Sequence, residues 1–283
     1  MVPSPEIEAQ MKIDLLLIPF GATYFEMRSA ALAAEAAGFD GVWTWDHLQG
    51  GGNAGPTPVP ECWTVLSAIA EATNHVAIGS LVLNVFNRHP GTLANMAATL
   101  QEVSEGRLLL GLGAGGSTRT PYAAEQQALG RSVPNDAERR AHLIEAIRVL
   151  RTLWAGEGEF EGTYYRVSDA AGFLQPLRPP PIIVGGFGMQ MAALAGAHGD
   201  GFNVPAQIPS LPELIAEAQR VHGETTREAA FEISAFSGMR EAYLRPSTPE
   251  RIYLSQRIDR LILLLEPPFD PAAIVEAGRL LHG

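Results

Sequence analysis

Gly38-Phe39-Asp40-Gly41-Val42-Trp43-Thr44-Trp45-Asp46-His47 is the stretch that decides the fold. Val42, Trp43 and Trp45 suit a buried, pleated surface, which β-branched and aromatic side chains fill well. Gly38 closes the helical pattern before it. The run from Leu48 to Pro60 is too rich in Gly and Pro to continue either a strand or a helix. Asp46 and His47 stand at the strand's end, and neither is buried cheaply without partners. A strand that ends on an acid and a histidine has the form of a barrel strand delivering chemistry to a rim.

Outward from this stretch the chain alternates. Lys12 to Phe20 is a nearly continuous apolar run closed by Pro19 and Gly21, as in buried parallel strands. Glu26 to Ala37 carries Met27, Ala30, Ala31 and Ala34 at helical spacing. Beyond it, Pro60 to Thr73 reads as a helix with Pro in its first turn, and His75 to Val85 as the third strand. Pro90 opens a helix that Gly106 ends, and Arg107 to Leu112 is the fourth strand. A loop containing Pro121 and Pro134 leads to the longest helix, Asp136 to Trp154. Gly158 to Val167 reads as a small hairpin or excursion. Ile182 to Val184, Asp200 to Val204, Phe231 to Phe236 and Arg260 to Leu265 supply four more strands, with a helix from Met189 to Ala197 after the first of them. Eight strands alternating with helices predict parallel pairing through crossovers. With no break in composition, the expectation is an α/β protein, a (β/α)8 TIM barrel in a single domain over residues 11–283, behind a flexible tail over residues 1–10.

The 283 residues are 46% hydrophobic and 18% charged, with a net charge of −11. That balance argues against a nucleic-acid partner, since no basic cluster could neutralise phosphates. Cys62, the single cysteine, excludes a disulfide framework and a cysteine-based metal site. It sits beside Trp63 and reads as packing. The first ten residues lack an apolar signal core, and no run approaches the ~20 apolar residues of a membrane span, so a cytoplasmic protein is expected. The remaining histidines (His75, His89, His142, His198, His222 and His282) are scattered without metal-ligand spacing, so no metal is expected.

Two glycine turns carry further signals. Gly111, Gly113 and Gly116 satisfy a dinucleotide fingerprint, but Ser117-Thr118-Arg119-Thr120-Pro121 follows where its helix should start. Asp136 has the offset of the fingerprint's acid, yet its place before Ala137 reads as a helix N-cap. A Rossmann domain is therefore disfavoured, while the glycines still allow a flat ligand close to the backbone. Gly185-Gly186-Phe187-Gly188, between a strand and a helix, can cradle a phosphate on exposed N–H groups. Asp200 reads as an acid capping the preceding helical region.

Taken together, these residues resemble the luciferase-like monooxygenase superfamily, within it the branch that uses the deazaflavin coenzyme F-420. The resemblance rests on the opening stretch, on Ile78-Gly79-Ser80-Leu81-Val82 with Arg88-His89-Pro90, on Gly106 to Gly115, and on Ile183-Val184-Gly185-Gly186 with Gly199-Asp200-Gly201. It implies an oxidoreductase that moves a hydride between coenzyme F-420 and a small organic substrate. His47 is then the acid/base, and Asp46 bonds the polar edge of the ring. It also implies a non-proline cis peptide at Leu81–Val82 behind the ring, with Ser80 and Asn84 near the ring or its ribityl chain. Gly113, Ala114, Gly115 and Gly116 would pass close to the cofactor, and Gly185, Gly186, Phe187 and Gly188 would hold its phosphate. A reduced-FMN monooxygenase and a cofactor-binding protein without catalysis stand as alternatives, and the resemblance implies a homodimer. Two positions depart from the sugar-phosphate dehydrogenases of this branch. Gly51 stands where they carry Trp, and Gly116 where they carry Glu, with no lysines located to hold a substrate phosphate.

Overall fold

The computed structural model describes residues 10–50, 56–227 and 229–281. The expected tail, up to residue 9, and Gly51 lie outside the described residues. The chain runs β1 (Lys12–Leu17), α1 (Tyr24–Ala36), β2 (Gly41–Thr44), α2 (Cys62–Ala72), β3 (Ala77–Ser80), β4 (Leu83–Asn84), α3 (Pro90–Val103), β5 (Leu108–Gly113) and α4 (Ala123–Ala128). It continues with α5 (Asp136–Trp154), β6 (Phe160–Glu161), β7 (Arg166–Val167), β8 (Ile182–Gly185), α6 (Met189–His198), β9 (Gly201–Pro205) and α7 (Leu211–Gly223). Last come β10 (Glu232–Gly238), α8 (Glu241–Leu244), α9 (Pro249–Ser255), β11 (Arg260–Leu265) and α10 (Pro271–Leu281). The parallel order β3-β2-β1-β11-β10-β9-β8-β5 closes through a β3–β5 pairing, so the eight-stranded α/β barrel expected from the alternation is the fold.

Strand alternation sorts the core into two layers. Leu15, Leu17, Val42, Leu261 and Leu263 point outward and pack under the helices. Leu16, Ile18, Trp43 and Ile262 point inward and fill the barrel with Leu81. Trp43 is fully buried, and Gly79 on the next strand has no side chain because a Cβ there would land on the indole. At the amino-terminal end of the barrel the indole Nε1 donates to Asp14 Oδ2 at 2.6 Å. Arg260 bridges Asp14 at 2.6 Å and Glu232 at 2.8 Å. This charged layer closes the bottom of the barrel, with burial pushing the Asp14 carboxyl up against the pull of Arg260.

Several boundaries differ from the sequence reading, each for a local reason. α1 starts at Tyr24 because Thr23 and Glu26 form a reciprocal capping box. α2 starts after Pro60, with Glu61 as the cap accepting from the N–H groups of Trp63 and Thr64. Asn135, not Asp136, caps α5. Asp200 does not cap a helix; it accepts from the Ile182 N–H at 2.9 Å and from Arg151 at 2.7 Å, tying β9 to β8 and α5. The expected hairpin forms as β6 and β7, and Glu145 braces it by accepting from the N–H groups of Thr163, Tyr164 and Tyr165. α4 lies inside what reads as loop. Among the described residues no helix is long and apolar enough to cross a membrane, and no three side chains of His, Cys, Asp or Glu converge as metal ligands.

Candidate active site

A cleft of about 910 Å³ opens at the carboxyl ends of the strands. Its wall begins at the tip of β2 with Trp45, Asp46 and His47. Asp46 is 4% exposed, and its oxygens are heavily used. Arg88 grips both of them at 2.9 Å, while the Asn84 N–H at 2.9 Å and Asn87 Nδ2 at 3.0 Å share Oδ2. Arg88 also pairs with Glu61, and its guanidinium is held more firmly protonated than usual: burial opposes the charge, but bonds and attraction from Asp46 and Glu61 outweigh it. Asp46 thus locks the tip of β2 to the segment after β4.

His47 is held from the other side by α4. Its Nδ1 lies 2.8 Å from Glu125 Oε1, and Glu125 is 4% exposed. The Tyr122 ring stacks on the imidazole with centroids 4.4 Å apart, and Phe20 tilts against it at 5.5 Å. The neighbouring Gln126 donates to Asn87 Oδ1 at 2.6 Å, and Asn87 in turn bonds Asp46. Of two consecutive residues of one short helix, Glu125 therefore reaches His47 directly and Gln126 reaches Asp46 through Asn87. Gly116 makes room for this: a Cβ there would come within 2.7 Å of Tyr122 Cβ.

The floor is the break between β3 and β4. The Leu81–Val82 peptide is cis, so the expected third strand is split in two. Val82 projects between two glycine turns, where a Cβ on Gly113 would approach Val82 Cγ2 to 2.5 Å and one on Gly185 would approach Cγ1 to 2.9 Å. These glycines accommodate the bulge as well as exposing backbone. Ser80, expected near the ring or its ribityl chain, is fully buried outside the cleft lining, and its hydroxyl donates to the Gly111 carbonyl at 3.0 Å and accepts from the Gly111 N–H at 3.1 Å.

On the far wall, Gly185 to Gly188 lead into α6. Gly188 is the N-cap and offers no side-chain bond to the first turn, and a Cβ there would meet nothing within 4 Å. Met191 and Ala192 donate to the Gly188 carbonyl, which leaves the N–H groups of Met189 and Gln190 open to an anion. Arg119, Arg139 and Arg140 line the facing side. Arg139 bonds the carbonyls of Ala114 and Gly115 and pairs with Asp136, fixing the first glycine turn. A flat, anionic ligand fits this donor set: an apolar bulge for a ring, open backbone and arginines for a phosphate.

The structure thus brings His47, Asp46, Leu81, Val82, Asn84, Gly113 to Gly116 and Gly185 to Gly188 around one cleft, and leaves Ser80 out. Glu125, Tyr122, Arg139, Asn203 and Phe236 line it without having been read from sequence. The one available signal for α4 was Ala123 to Leu129, a helix-prone run closed by Gly130 at φ 70°.

Residues 11–241 match the luciferase-like monooxygenase family. The chain belongs to that family. Among curated relatives, the F-420-dependent hydroxymycolic acid dehydrogenase of Mycobacterium tuberculosis is 37% identical over 189 residues, which cover 66% of this chain and 50% of the relative. The F-420-dependent glucose-6-phosphate dehydrogenase of Nakamurella multipartita is 39% identical over 193 residues, covering 66% and 54%. The chain spans about half the length of these relatives. Among solved structures, an F-420-dependent secondary alcohol dehydrogenase in complex with an F-420–acetone adduct superposes with a TM-score of 0.73 at 22% identity, over 96% of this chain and 82% of that one. The EDTA monooxygenase of Chelativorans sp. BNC1 gives 0.75 at 14% identity, over 96% and 93%. At such identities the likeness bears on the barrel alone, so this luciferase-like family member shares its fold with both kinds of enzyme.

Proposed function

We propose that this protein is a coenzyme F-420-dependent oxidoreductase acting on a small organic substrate, with His47 exchanging a proton as a hydride moves. The observation that carries this reading is His47 itself, oriented by a buried carboxylate at the edge of a cleft whose floor is a bulged, apolar peptide. The names of the sequence relatives support the deazaflavin over other flat cofactors. When bound, the deazaflavin supplies the ring carbon that gives or takes the hydride. The residues of the chain do the rest. Val82 and Leu81 would support the ring, the α6 N-terminus and the arginines would hold its anionic part, and His47 would hold or move a proton. A homodimer belongs to the same reading, and light scattering of the purified protein tests it.

Titration with F-420 and with FMN, followed by fluorescence quenching, is the direct test. Tight binding of FMN with none of F-420 would refute the cofactor and favour a reduced-FMN monooxygenase. With F-420 bound, His47→Ala should keep cofactor affinity and lose turnover. Cofactor binding without turnover across alcohols, imines and enones would leave a binding protein.

A further inference from the structure

We propose that Glu125 is the positioning residue of His47, fixing which imidazole nitrogen carries the proton and which one is offered to the cleft. The proposal rests on the proton-exchange reading of His47 for its catalytic consequence, though the contact itself stands on geometry. A carboxylate has no hydrogen to give when ionised and can only accept. At 2.8 Å from Nδ1, Glu125 selects the tautomer with its hydrogen on Nδ1 and leaves Nε2 as the nitrogen that can take a proton from the cleft side. Among the described residues no hydrogen bond engages Nε2. The orienting logic is that of a carboxylate behind a histidine base, in which the acid holds the ring rather than receiving the proton itself.

Three features make this more than a chance contact. Glu125 is 4% exposed and, among the described residues, has no arginine or lysine paired with it, so the imidazole is its side-chain partner. Tyr122, one turn earlier, stacks on the same ring at 4.4 Å and blocks its rotation. Gln126, the next residue, reaches Asn87 and through it Asp46, which anchors α4 to both sides of the β2 tip. A six-residue helix and its N-cap thus bring together stacking, hydrogen bonding and anchorage at one histidine. Gly116 is the position that lets it approach.

The test reads the tautomer on the protein without added cofactor. Long-range 1H–15N correlation of histidine-labelled protein, with His47 assigned through a His47→Asn variant, reports which nitrogen is protonated at the alkaline end, where the ring is neutral. The wild type should show a single form with hydrogen on Nδ1. Glu125→Gln presents either the carbonyl or the N–H of its amide to the ring and Glu125→Ala presents neither, so both should give mixed tautomers. A wild type protonated on Nε2, or variants indistinguishable from wild type, would overturn the proposal. If Glu125→Ala does not fold, by near-ultraviolet circular dichroism, the wild type and Glu125→Gln alone decide. With cofactor and a substrate in hand, Glu125→Ala should lower kcat on the order of 10²-fold while changing cofactor affinity less than about threefold. Full turnover by His47→Ala would refute the proton reading and leave the tautomer result standing, so the two failures are separable.

Discussion

Asp46 can act in two ways, and one substitution separates them. In the structure its carboxylate accepts four hydrogen bonds, two from Arg88, one from the Asn84 N–H and one from Asn87. The Asp46 side chain is 1% exposed and that of Arg88 13%. Asp46→Ala leaves the guanidinium with Glu61 as its remaining carboxylate and frees a backbone N–H and an amide. Removing one partner of a largely buried ion pair costs ~3–5 kcal/mol, because the other charge stays behind. For a chain of this size 1 kcal/mol moves Tm by ~2–4 °C, so a fall of roughly 6–20 °C is expected. Asp46→Asn keeps the shape and an acceptor but turns an amine toward Arg88 or Asn87, and should fall between the two. The assay is thermal unfolding by circular dichroism at one scan rate, beside a cofactor titration of the same samples. Loss of less than ~1 kcal/mol together with abolished cofactor binding would refute this reasoning. Asp46 would then serve the ring edge directly, and its bonds to Arg88 would contribute little.

Three further perturbations test the rest of the site and the scaffold. Gly113→Ala puts a Cβ 2.5 Å from Val82 Cγ2, so over-packing of ~1–3 kcal/mol and weaker cofactor binding are expected; an unchanged melt would mean that Val82 is not wedged there. Gly116→Glu should push Tyr122 off His47, and persistent cross-peaks between the two rings in a nuclear Overhauser spectrum would show that the turn tolerates a side chain. Burial holds His142 below the ordinary histidine range, and burial together with Arg227, Arg151 and Arg148 does the same for His198. Their folded forms resist protonation, so the stability they contribute is present above pH ~6.5 and lost as pH falls through the lowered values. Tm should therefore drop between about pH 7 and pH 5, less steeply in His142→Phe, which can keep the tilted ring contact with Tyr164. Equal slopes in wild type and variant would remove His142 from the account.

What could be read from the sequence, and what could not, divides by the range of the interactions involved. The eight barrel strands were legible because each is a short, largely apolar run, most of them closed on at least one side by Gly or Pro, whereas which of two adjacent apolar residues, such as Val42 and Trp43, faces inward is set by the barrel. The Leu81–Val82 break came from resemblance; nothing in the apolar run from Val76 to Val85 marks an interruption. Ser80 came from the same resemblance, and the long-range partner its hydroxyl takes, the Gly111 backbone 31 residues away, has no local signal. Glu125 was invisible for the same reason. In Ala123-Ala124-Glu125-Gln126-Gln127-Ala128 it has the pattern of a solvated helix face, and only the folded loop brings it 2.8 Å from a histidine 78 residues earlier. Local chemistry announces where a reactive side chain stands, since a strand end is a local feature. What holds that side chain in one rotamer and one tautomer is a neighbour chosen by topology. At this tip one short helix makes the choice for His47, so losing the fold of the 117–122 segment would free the imidazole while Asp46 kept its four bonds to Arg88, Asn84 and Asn87.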